Sequence, residues 1–102
     1  MSQKYYHRRQ IVELFNCEEE FLDELEAEEI VSPVQVTAEK ERVFPEDQVE
    51  RIRVINNLIR DLDVNLPGAE VILEMRENMI RMQQRFDRIL EALLEQFKGR
   101  VT

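Results

Sequence analysis

From Ala69 to Phe97 the chain holds neither proline nor glycine, and along that stretch Ile72, Met75, Met79, Met82, Phe86, Ile89 and Leu93 recur at intervals of 3, 4, 3, 4, 3 and 4. An unbroken run of this kind predicts one helix roughly 40 Å long at about 1.5 Å per residue. The alternating spacing lays its apolar side chains along a heptad seam. The helix predicted just upstream can cover the start of that seam but is too short to reach its far end. Phe86 to Phe97 is therefore expected to meet a second subunit, giving a helical homodimer. The other reading of the same stripe is an intramolecular core followed by a frayed tail. Three methionines in one stripe also make a re-packable surface that suits the groove of a different partner.

The segments before this helix are short. At 102 residues and 43% hydrophobic the chain can build one modest core, and two folded lobes would leave each too small to stand alone. Arg8 to Asn16 reads as a first helix with Ile11, Val12, Leu14 and Phe15 on its apolar side, led in by extended chain at Tyr5-Tyr6. A second helix is predicted from about Glu18 to Glu28, because Phe21, Leu22 and Leu25 recur at helical spacing behind three glutamates that favour a helix N-terminus. Ser32-Pro33 stops it. Val34 and Val36 alternate with Gln35 and Thr37 as an edge strand does, and Arg42-Val43-Phe44 returns as a second strand, a small β-hairpin wing. Pro45 suits the first turn of a third helix carrying Val49, Ile52, Ile55, Leu58, Ile59 and Leu62. Asn65 is placed to cap the long helix, and Gly68 in its first turn costs about 1 kcal/mol relative to alanine unless a close neighbour requires the missing side chain. Residues 1–66 thus form one expected domain and 67–102 a dimerisation helix.

The net charge of −8 is concentrated: residues 17–30 carry eight acids and no base, whereas residues 1–16 carry +2. No apolar run approaches a membrane span. Met-Ser-Gln-Lys-Tyr-Tyr offers no apolar signal core, and a single cysteine makes no internal disulfide, so a reducing cytoplasm is the expected address. Cys17 reads as a small buried apolar residue.

Enzyme chemistry needs a nucleophile with its base, a metal cluster or paired carboxylates in a dry cleft. The sequence suggests none. His7 is the only histidine and lacks companions at metal-ligand spacing, so it is read as a surface or capping residue. Glu18, Glu19, Glu20, Asp23 and Glu24 on one helix cannot converge on a calcium ion. Glycines at 68 and 99 build no phosphate-cradling loop. No cofactor and no metal are expected.

The order of first helix, Asn16-Cys17 corner, second helix, Ser32-Pro33, wing, Arg42-Val43-Phe44 and a third helix opening at Asp47 resembles the winged helix-turn-helix of MerR-type regulators. The resemblance implies a mainly α fold with a β-hairpin wing and a long C-terminal coiled-coil helix. In that group the second helix reads DNA and the C-terminal helices pair antiparallel. DNA-reading members carry arginine around the positions of Glu20 and Asp23 and an aromatic near Glu24. Carboxylates facing phosphates incur repulsion and desolvation, which argues against DNA as a partner here. The closer resemblance is to the chaperone-modulatory CbpM family, on Cys17-Glu18-Glu19-Glu20-Phe21-Leu22, Val31-Ser32-Pro33, Val43-Phe44 and the stretch from Asp61 through Leu66-Pro67-Gly68 to Leu73. It implies a non-enzymatic inhibitor that binds the J-domain of a DnaJ-like co-chaperone, CbpA, and blocks productive Hsp70 contact. Glu19, Glu20, Asp23, Glu24 and Glu26 are the candidate contact residues; the alternative is a solvated face that only keeps the protein soluble. Arg76, Glu77, Arg81, Arg85 and Arg88 offer a second candidate surface, or flank the seam as rim salt bridges. The rival class is a DNA-binding transcription regulator whose Lys4, Arg8, Arg9, Lys40 and Arg42 contact phosphate, and a further one is a generic dimer adaptor.

Overall fold

A computed structural model describes residues 4–36 and 38–101. Thr37, expected in the wing's first strand, and the start of the chain at residues 1–3 lie outside the described residues. The chain is mainly α, with three short strands in the order β1 (Tyr5–Tyr6), α1 (Arg8–Phe15), α2 (Glu19–Ala27), β2 (Val34–Gln35), β3 (Arg42–Pro45), α3 (Glu46–Asp61) and α4 (Leu66–Val101). It divides into two compact units, residues 1–70 and 71–102.

In the first unit α1 and α2 form the helix-turn-helix. The corner is sharp because Asn16 adopts the left-handed conformation (φ 51°, ψ 46°), which asparagine tolerates better than most residues. Its N–H and that of Cys17 both turn back to the Val12 carbonyl, the latter at 3.2 Å. The Phe15 carbonyl left over at the helix end accepts from Arg60 Nη1 (2.9 Å) and from Asn56 Nδ2 (3.3 Å), both on α3. Asn56 is a buried polar side chain of the core, and this bond answers the cost of burying an amide. α2 turns Leu22 and Leu25 fully inward, and the chain leaves it through Glu29 in the left-handed region, with the Ile30 N–H bonded to the Leu25 carbonyl at 2.9 Å. Ile30 and Val31 are buried immediately afterwards.

The wing is larger than a hairpin. β3 pairs antiparallel with β2 (Val34 opposite Val43) and also with β1 (Tyr6 opposite Phe44), giving a sheet of order β1-β3-β2. Tyr5-Tyr6 was expected only as extended lead-in; two residues carry no periodicity, and their strand identity comes from β3 lying beside them. The β2–β3 turn, which lacks glycine and asparagine, places Lys40 in the left-handed region (φ 62°). The central β3 buries Val43, Phe44 and Pro45.

Pro45 precedes α3 as its N-cap rather than lying in its first turn. Of the six apolar residues expected along α3, Val49, Ile52 and Ile55 are buried, Leu58 and Ile59 are half-buried, and Leu62 is exposed. On α1 only Ile11 is buried, and Leu14 is 60% exposed. The start of α4 follows the expected logic: the Gly68 N–H donates to Asn65 Oδ1 at 2.8 Å, and the Ala69 N–H to the Asn65 carbonyl at 2.9 Å. A Cβ on Gly68 would lie 3.0 Å from that same Oδ1 and 3.1 Å from Val64 Cγ1, so the capping side chain occupies the space a larger residue would need.

The second unit is helical throughout its described residues. Leu73 is buried, whereas Ile72, Met75, Met79, Met82, Phe86, Ile89 and Leu93 are all exposed, from 39% at Ile72 to 70% at Met82. No helix among the described residues is long and apolar enough to cross a membrane.

Candidate functional site

Helix α2 presents two different acidic stripes. Glu19, Asp23 and Glu26, spaced 4 and 3 apart, share one helical side, and Arg8 from α1 spans all three positions. Its Nη2 donates to the Glu19 carbonyl (3.1 Å) and to Asp23 Oδ1 (2.7 Å), and its Nη1 donates to Glu26 Oε2. Glu26 Oε1 in turn meets Arg42 Nη2 of β3 at 3.1 Å. Only 15% of the Glu26 side chain is exposed, so of the five acids expected to face a partner this one is turned inward, joining α1, α2 and the wing. Glu19, Glu20, Asp23 and Glu24 are exposed. Glu20 and Glu24, one turn apart, form the solvent-facing stripe.

Beside this acidic face lies an open cleft of opposite character, lined by His7, Arg8, Arg9, Gln10, Glu41 and Arg42. It is built from the first turn of α1 and the wing. His7 occupies the N-cap of α1, its N–H donating to Gln10 Oε1 (2.8 Å), and its Nδ1 lies 3.3 Å from Glu41 Oε2 across the cleft. Arg9 and Lys40 are exposed, and Lys4 lies over the Tyr6 ring, its Nζ 5.6 Å from the centroid. Arg8 and Arg42 present the remaining faces of guanidiniums already anchored on Glu26. Arg8, Arg9 and Arg42 therefore converge on one cleft, a proximity their spacing in sequence does not reveal.

Cys17, at the helix-turn-helix corner, is half-buried; burial pushes its thiol pKa up, against smaller opposing effects of its backbone hydrogen bond, Arg60 and Arg8. Among the described residues no three His, Cys, Asp or Glu side chains gather as a metal-binding group.

Two helices joined at a left-handed corner, a β-wing beside them and a third helix closing the core define a winged helix-turn-helix domain. The chain belongs to the MerR HTH family of regulatory proteins, whose family model it matches over residues 6–91. This is a regulatory family and not an enzyme family. Comparisons with curated proteins and with solved structures give no match. Family membership corrects one expectation drawn from the acidic second helix, that DNA is not a partner: helix-turn-helix domains of the MerR type are DNA-binding. The physical reason is that the charge sum over residues 17–30 does not describe the surface. Part of that charge is spent internally on Arg8 and Arg42, and the cleft beside it carries three arginines.

Proposed function

We propose that the protein is a DNA-binding transcriptional regulator that holds the duplex backbone with the basic cleft between α1 and the wing. The convergence of Arg8, Arg9 and Arg42 on one edge of a MerR-type domain carries this reading. Phosphate contacts of this kind fix a protein's position on DNA, while base contacts supply specificity. The exposed stripe of Ile72, Met75, Met79, Met82, Phe86, Ile89 and Leu93 supports a dimer, which places two such domains on one site. Selection from random duplexes followed by titration at several salt concentrations tests it. A selected sequence bound with a steep salt dependence is expected, and Arg9→Ala should lower the salt slope by about one unit. Failure to enrich any sequence, together with no salt-weakened complex, would remove this reading.

One observation favours a second reading, modulation of a DnaJ-type co-chaperone in the manner of the CbpM family. Glu19, Glu20, Asp23 and Glu24 stand exposed along a helix that contains no base, a surface complementary to a basic protein face such as a J-domain helix. Calorimetric titration with a purified J-domain separates the two readings. Saturable binding that Glu20→Lys with Glu24→Lys abolishes supports the modulator; no heat and no complex by light scattering eliminates it.

A further inference from the structure

We propose that a second cleft, between α1 and α3 and away from α2, docks a partner protein segment that combines bulky apolar side chains with arginine or lysine. Leu14 is the first sign of it. In an eight-residue helix whose Ile11 is fully buried, Leu14 is left 60% exposed, and it forms one wall of an open cleft of about 600 Å³ whose floor includes Phe15 and Val49. The facing wall is acidic: Glu46, Asp47 and Glu50 line it, with Arg53 as the lone base. Arg53 is held by Glu50, whereas Glu46 and Asp47 are both exposed, Asp47 Oδ2 accepting from Gln48 Nε2 at 3.3 Å.

An apolar floor with exposed carboxylates along one side selects its occupant by chemistry. Nucleic acid phosphate is repelled, and a purely apolar segment leaves the carboxylates desolvated without a partner. A basic amphipathic segment satisfies both walls, its apolar side chains against Leu14, Phe15 and Val49 and its cations toward Glu46 and Asp47. The cleft is also preformed. The Phe15 end of α1 is fastened to α3 by the Asn56 and Arg60 hydrogen bonds, and Tyr6 at the cleft margin is fixed by its strand pairing with Phe44, so little ordering is required on binding.

The test uses the full chain, labelled with ¹⁵N, and two synthetic amphipathic peptides: one of leucine and arginine, and its twin with glutamate in place of arginine. The arginine peptide should bind saturably, with the largest amide shifts at Leu14, Phe15, Asp47 and Val49. The glutamate twin should bind at least about tenfold more weakly. Leu14→Ser removes most of a buried leucine contact and should weaken the arginine peptide about tenfold, as should Asp47→Lys alone, with unchanged unfolding midpoints. Equal affinity for both peptides would overturn the proposal. Shifts centred on α2 or on residues 71–101 would overturn it, as would the same shifts appearing when the protein alone is concentrated, which identifies a second copy as the occupant.

Discussion

Replacing Glu26 by glutamine should destabilise the first unit far more than removing any other carboxylate of α2. The Glu26 side chain is 15% exposed and its Arg8 partner 28% exposed, so their charge-assisted bond lies in a partly dry setting and contributes about 1–2 kcal/mol. The second bond, to Arg42, adds little, because that guanidinium is 63% exposed and exposed pairs contribute about 0–1 kcal/mol. Arg8 keeps Asp23 and the Glu19 carbonyl in the variant, which limits the loss to about 2 kcal/mol, or about 10 °C in melting temperature for a domain of this size. Tyrosine fluorescence is the assay. There is no tryptophan, and both tyrosines lie in β1, so the signal reports the unit that contains the cluster. Glu20→Gln, on the exposed stripe of the same helix, should stay within about 0.5 kcal/mol of the parent. The difference should persist in high salt, since partly buried pairs are screened less than exposed ones. If Glu26→Gln melts with the parent while Glu20→Gln does the same, the Arg8–Glu26–Arg42 link is only surface decoration and the reasoning fails.

Asn65→Ala should cost about 1 kcal/mol by removing the cap of α4, whereas Gly68→Ala should fail to gain the stability of about 1 kcal/mol that helix propensity alone predicts, because Asn65 Oδ1 fills the space; urea titration by circular dichroism measures both. The raised pKa of Cys17 keeps its thiol protonated at neutral pH, so a disulfide reagent should modify it more slowly than free cysteine. Ionisation then opposes folding, and this contribution to stability is complete below the ordinary thiol pKa and is lost as pH rises toward the higher folded value. Phe86→Lys places a charge in the middle of the exposed stripe and, on the dimer reading proposed above, should lower the mass found by sedimentation equilibrium from two chains to one; a monomeric parent or an unchanged mass would refute pairing along this stripe.

Most helices of this fold are legible in the sequence because each carries its own period. Leu22 and Leu25 on α2, and Val49, Ile52 and Ile55 on α3, announce their buried faces, and Asn65 with Gly68 marks a helix start whose geometry follows from local chemistry. Interactions between elements are not legible in this way. β1 exists because β3 lies beside it, and the exposure of Leu14 reflects which side of α1 meets its neighbours, which four closely spaced apolar residues leave open. Glu26 looks like its acidic neighbours in sequence. The 19–23–26 spacing marks a common stripe, but only the position of Arg8 shows that this stripe meets α1 and that Glu26 at its end is turned inward, while Glu20 and Glu24 face water. The basic cleft was legible as separate residues and not as a site, since Arg9 and Arg42 are brought together by the chain's return through the wing.

The bare apolar stripe on the second unit gives the chain a form of census. A lone helix in water gains little from its own hydrogen bonds and depends on packing for most of its order, and here the side chains that could supply such packing stand in solvent from Met75 to Leu93. A partner covering the stripe would therefore set how long that segment remains helical. When cover comes from a second copy, order rises with the number of copies present. If the stripe pairs two copies, as proposed above, the order of this segment depends on how much of the chain is present, and resistance to limited proteolysis should rise with protein concentration.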